Sequence, residues 1–104
     1  MTFNPQPKHD YFRSEPFQRH VRTLNCQRCG QFGMTQSSHS NWSWSGKGKS
    51  IKGDDLTAAL CVECHVDIDQ GAELSKSDRE LFWLRAFFKT IKALFVAGKI
   101  KVVP

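Results

Sequence analysis

The sequence predicts a small α+β domain in which a cysteine-stapled core of two short strands and a helix is flanked by a short N-terminal helix and a long C-terminal one. Three observations lead there. Cys26-Gln27-Arg28-Cys29 and Cys61-Val62-Glu63-Cys64 are two Cys-x-x-Cys pairs, and they use every cysteine in the chain. An amphipathic repeat runs through residues 78–97. Short segments at Met34–Ser38 and Leu56–Leu60 have strand length rather than helix length. With 104 residues, 39% of them hydrophobic, the chain is expected to form one domain with a modest core. At that size a metal or disulfides commonly supplement packing.

The elements follow in order. Residues 1–13 read as a flexible arm, because Pro5 and Pro7 disfavour a helix. Ser14 as N-cap and Pro16 in the first turn start a helix over about 15–24, with Phe17, Val21 and Leu24 inward and Arg19 and Arg22 outward. Residues 31–55 are rich in Ser and Gly and form a long loop of the kind that carries function. A short helix from Cys61 to about Gln70 ends at Gly71. Ser77 and Glu80 have the spacing of a capping box for the last helix, over 78–97. Its expected apolar face is Leu81, Leu84, Phe88, Ile91 and Phe95, its polar face Arg85, Lys89 and Lys92, and Gly98 follows its end. Phe82, Trp83 and Phe87 widen the apolar face, so the helix is either buried on two sides or also meets a second copy as a homodimer. The tail, Ile100–Val103, is expected as an edge strand.

Two residues between thiols let one tight turn aim both sulfurs at one ion, and two such turns complete a tetrahedron for structural zinc. A thioredoxin-like pair would need a βαβ unit, which the pattern lacks. Cys61-Val62-Glu63-Cys64-His65 has the form of a haem attachment motif, but that reading leaves Cys26 and Cys29 unexplained. The N-terminus has no apolar signal stretch and no run of residues is long and apolar enough to cross a membrane, so a cytoplasmic location with reduced thiols is expected. The net charge of +5 falls to about +3 once four thiolates and a zinc ion are counted. It still favours a polyanionic partner.

Of four histidines, His9 and His20 read as surface residues. His65 follows Cys64 directly. With Cys64 turned to zinc, His65 faces elsewhere and can hold a second ion. His39 closes the first strand, and Asp54-Asp55 precedes the second cysteine pair, so the order is histidine, acid, histidine. The Gly/Lys loop from Ser45 to Ser50 lacks the spacing of a nucleotide-binding P-loop. It suits contact with a phosphate backbone. Trp42 and Trp44 are expected to fill the core.

Taken together, Cys-x-x-Cys, then Ser-His-Ser-Asn, then Gly-Lys-Gly-Lys-Ser-Ile-Lys-Gly-Asp-Asp, then Ala-Ala-Leu-Cys-x-x-Cys-His-x-x-Ile-Asp resembles the zinc-containing HNH endonucleases. It is most similar to the small nucleases of phages and prophages and to the recombination-enhancing nuclease of the Ref type. The resemblance covers residues 24–71 and continues more loosely through 78–97. It implies a ββα-metal (HNH) core and metal-dependent hydrolysis of DNA, with RNA not set aside, in a host bacterial cytoplasm. It implies structural zinc on Cys26, Cys29, Cys61 and Cys64. It implies His39 as general base, and His65 with Asp54 or Asp55 holding a catalytic Mg²⁺ or Mn²⁺. Both imidazoles are then expected to face one cation site. Asn41, Lys47, Lys49 and Lys52 are the expected DNA contacts. Two positions depart from the family: Ser38 stands where many members carry an acidic ligand, and aspartates stand where the motif's middle Asn is usual. The competing expectation is a non-catalytic zinc module that binds nucleic acid or a protein.

Overall fold

Residues 12–40, 42 and 53–104 are described by the computed structural model. The first regular element begins where the expected cap sits. Ser14 has extended backbone, and its hydroxyl accepts the Phe17 N–H at 3.1 Å, satisfying one free amide of helix α1 (Glu15–Arg22). Val21 is the buried residue of this helix, with Phe17 and Leu24 packed beside it.

Strands β1 (Thr35–His39) and β2 (Thr57–Cys61) pair antiparallel, with Thr35 opposite Cys61 and His39 opposite Thr57. Both lie one residue later than the sequence pattern places them. Every residue of β2 is buried, because both faces and its outer edge are covered. Ala58 and Leu60 face the cluster around Trp83, while Ala59 faces Val21 and Leu94. The edge that β1 leaves free is capped by two bonds: Gln27 N–H donates to the Ala59 carbonyl at 2.8 Å, and the Ala59 N–H donates to Thr90 Oγ1 at 2.9 Å. These bonds remove the exposed strand edge that would otherwise invite pairing with another chain.

Helix α2 (Val62–Gln70) follows β2 without a loop, with Cys61 as its N-cap. Helix α3 (Lys76–Val96) starts two residues before the expected point. Its cap is Ser75, whose hydroxyl accepts the Asp78 N–H at 3.1 Å, so Ser77 lies inside the helix and the Ser77–Glu80 capping box does not form.

The buried stripe of α3 also differs from the expected one. Trp83, Ala86, Thr90 and Leu94 face inward, while Leu81, Phe88 and Phe95 are exposed. Polar handles explain the choice. Trp83 Nε1–H donates to the Ser38 carbonyl at 3.2 Å, and Thr90 bridges β2 to its own helix by donating to the Ala86 carbonyl at 2.7 Å. Hydropathy alone ranks Phe88 above Thr90, but only Thr90 satisfies the buried Ala59 amide. Trp83 stacks on Phe87 with ring centres 5.3 Å apart and packs at 5.6 Å against Trp42, which joins the core as expected. Residues 101–104 are exposed and form no strand, in place of the edge strand expected there. No helix among the described residues is long and apolar enough to cross a membrane.

Candidate metal centre and histidine pairs

The two cysteine pairs converge. The sulfurs of Cys26, Cys29, Cys61 and Cys64 all lie within 4.8 Å of one another. Cys29 Sγ and Cys61 Sγ are 3.7 Å apart. A disulfide needs about 2.05 Å. A tetrahedron with zinc–sulfur bonds of about 2.3 Å has an edge of about 3.8 Å. The donor set and its spacing therefore fit zinc.

Local chain geometry builds each half of the cluster. In the first, Gly30 takes a left-handed φ of +83°, and its N–H donates to the Cys26 carbonyl at 2.8 Å, closing the knuckle. The Cys29 amide points at Cys26 Sγ at 3.4 Å. In the second, the Cys64 amide points at Cys61 Sγ, also at 3.4 Å, so the helix cap and a donor of the four-sulfur cluster are the same atom. The positive end of α2 favours thiolate there. The thiols of Cys26, Cys61 and Cys64 differ in acidity. Burial opposes ionisation of Cys26, but the amides of Cys29 and its neighbours outweigh it and hold its thiol near 6. Burial and the adjoining sulfurs push Cys61 and Cys64 up instead. Arg28 stands beside Cys64 and favours its thiolate, and it is itself steadied by Asp67 at 3.2 Å and the Phe82 ring.

The histidines form two separate pairs. His39 Nε2 meets Asp54 Oδ1 at 3.0 Å. Asp54 is 2% exposed, and its second oxygen accepts the Ser14 N–H at 2.8 Å. Burial raises the Asp54 carboxyl, but the bonds from His39, Ser14 and Gln18 prevail and hold it below the usual range. An ionised Asp54 accepts from His39 Nε2–H, which leaves the basic lone pair on Nδ1. His39 Nδ1 has no hydrogen bond among the described residues.

His65 is paired differently. Its Nδ1 meets Gln36 Oε1 at 2.7 Å, and its Nε2 meets Asp69 Oδ2 at 3.1 Å, one helical turn on. The two contacts fix the orientation of the ring.

Side chains alternate along a strand, and the contacts of β1 show the alternation. Thr35 Oγ1 donates to the Leu24 carbonyl at 2.7 Å and Ser37 Oγ to Gln18 Oε1 at 3.0 Å, marking the α1 face to which His39 belongs. Gln36 lies on the opposite face, against α2. The expectation of one cation site shared by both imidazoles and Asp54 or Asp55 is therefore not what the geometry brings together. Asp54 serves His39, Asp55 is exposed, and the acid beside His65 is Asp69. Among the described residues, the four cysteines are the one group of three or more metal-ligating side chains. Asn41, Lys47, Lys49 and Lys52 lie outside the described residues, as does Trp44.

Sequence reading missed Asp69 and Gln36. The signal for Asp69 was present, since His65 and Asp69 are four apart on a helix and so share a face. Nothing local marks Gln36, whose role depends on strand register. Comparison of the chain with protein-family models, curated proteins and solved structures finds no match.

Proposed function

We propose that the chain is a zinc-stapled, metal-dependent endonuclease of the HNH (ββα-metal) type that hydrolyses DNA phosphodiester bonds. The observation that carries this reading is the His39–Asp54 pair: a buried, ionised carboxylate fixes one imidazole nitrogen and leaves the other free on a half-buried ring. That is the arrangement a general base requires. His39 Nδ1 takes a proton from water as its oxygen bonds to phosphorus, and the bond from phosphorus to the 3′-oxygen breaks. His65 and Asp69, with Gln36 orienting the ring, are the residues suited to hold a divalent ion. Such an ion, when bound, would supply charge neutralisation at the phosphate and leaving oxygen. The consecutive order of β1, β2 and α2, with His39 ending the first strand and His65 in the first turns of the helix, supports the family resemblance.

Nicking of supercoiled plasmid in added Mg²⁺ or Mn²⁺ tests this. His39→Ala is expected to lower the rate by about 10²–10⁴, with zinc content unchanged. A variant that cuts at the wild-type rate overturns the mechanism. A second reading, a non-catalytic zinc module that binds nucleic acid, is favoured by one observation: the histidines are held in two separate pairs instead of one cluster. It predicts DNA binding with no metal-dependent nicking in the wild type.

A further inference from the structure

The charge of the chain is distributed unevenly. Residues 81–104 contain Arg85, Lys89, Lys92, Lys99 and Lys101 and no acid, so this segment alone accounts for the net +5. The first 80 residues balance ten cations against ten carboxylates. The tertiary structure then sets two of these cations opposite the zinc knuckle. A groove of about 290 Å³ is lined by Gln27 and Arg28 on one wall and by Phe82, Arg85, Ala86 and Lys89 on the other. Its lining contains three cations and no carboxylate.

The cations are not equivalent. Arg28 is held in place by Asp67 and by the face of Phe82, 5.0 Å from the ring centre, and it acts on the neighbouring Cys64. It is the counter-charge of the metal centre and a rigid wall of the groove. Arg85 and Lys89 are exposed, and their side chains make no ion pair or hydrogen bond among the described residues. They are one turn apart on α3, so both project from one side of the helix. The charge of Arg28 is met by Asp67 and the neighbouring thiol, so the net positive charge of this groove, over its aromatic floor, rests on Arg85 and Lys89.

We propose that this groove between the zinc knuckle and α3 binds the phosphodiester backbone of a nucleic acid, with Arg85 and Lys89 as its phosphate contacts. The site is separate from His65. Asp67, which pairs with the groove residue Arg28, is two residues from His65, which puts the two side chains about 200° apart around the helix. A strand bound here anchors the protein without entering the histidine pairs. The inference concerns binding alone and holds whether or not the chain cuts DNA.

The test is fluorescence anisotropy with a labelled mixed-sequence duplex DNA and, separately, its single strand, on zinc-loaded full-length protein without added magnesium. The Arg85→Gln/Lys89→Gln variant is compared with Lys99→Gln/Lys101→Gln, which removes the same charge from the tail. Loss of two phosphate contacts is expected to reduce the slope of log K against log salt by about 1.8 on duplex or about 1.4 on single strand. The tail variant is expected to retain the slope. A groove-specific loss on either form supports the site and identifies which form it takes. Equal losses in the two variants reveal a diffuse charge effect and overturn it, as does unchanged binding in the groove variant. Both variants alter exposed positions, and matching zinc content and melting curves verify that each is folded. His39→Ala is measured in parallel: unchanged nicking by that variant removes the nuclease mechanism and leaves the groove result standing.

Discussion

Metal removal from the four-cysteine cluster, which fits zinc, is the perturbation whose size the structure sets most directly. The ion would tie the knuckle at Cys26 and Cys29 to Cys61 and Cys64, closing the loop of residues 30–60. Treated as a cross-link, a loop of that length removes about 4 kcal/mol of chain entropy from the unfolded state. Three of the four ligands, Cys26, Cys61 and Cys64, also belong to the main buried cluster with Leu60, Ile68 and Trp83. Losing the ion therefore loosens the core as well as the loop. Domains of this size have about 5–15 kcal/mol in total. A loss of about 4 kcal/mol lowers the melting temperature by roughly 15–30 °C, at about 4–8 °C per kcal/mol. The assay is circular dichroism melting before and after chelation, with released zinc measured by a colorimetric dye. Cys61→Ser separates the two duties of that residue, because serine still caps α2 but does not supply a thiolate. It is expected to melt close to the chelated protein, and Cys29→Ser, at the exposed ligand, less far from the native one. Complete zinc release with a melting point within about 5 °C of the untreated protein would show that packing alone holds the fold.

Other outcomes follow from single contacts. Thr90→Val leaves the buried Ala59 amide without its acceptor and is expected to cost about 1–3 kcal/mol in urea unfolding. Ser75→Ala removes the cap of α3 and is expected to cost about 1 kcal/mol, whereas Ser77→Ala, inside the helix, costs little. Because Asp54 is held below its ordinary range, its contribution is complete above the unfolded value of about 3.9 and is lost as pH falls through the folded value. The stability difference between wild type and Asp54→Asn is thus expected to be greatest above about pH 4 and to shrink on acidification. If His65 and Asp69 hold the catalytic ion, Asp69→Asn raises the Mn²⁺ concentration needed for half-maximal nicking, and an unchanged metal titration argues against that pair.

Much of the organisation was legible along the chain because it rests on local rules. Ser14 caps a helix through an amide three residues away, and Cys-x-x-Cys aims two sulfurs from one turn, so neither needs distant information. The order of helix, two strands, helix and long helix follows from the same short-range patterns. The start of α3 was misread because Ser75 and Ser77 are both plausible caps, and the backbone selects between them by where the first free amide falls. Trp83 is buried as its place on the widened apolar face implies, but Leu81, Phe88 and Phe95 are exposed and Thr90 is buried, because hydropathy measures transfer out of water and does not register the hydrogen bonds that Thr90 makes on burial.

What the sequence determined by itself is two Cys-x-x-Cys pairs fit to hold a metal ion such as zinc, a basic C-terminal segment, and histidines at a strand end and a helix start. Tertiary structure alone decided how those histidines are partnered. Strand alternation sends His39 toward α1 and Asp54 and sends Gln36 toward His65, and antiparallel register is a relation between segments remote in sequence. The groove beside the zinc knuckle has the same origin: Arg28 and Lys89 are far apart in the chain and become neighbours only when α3 packs across β2.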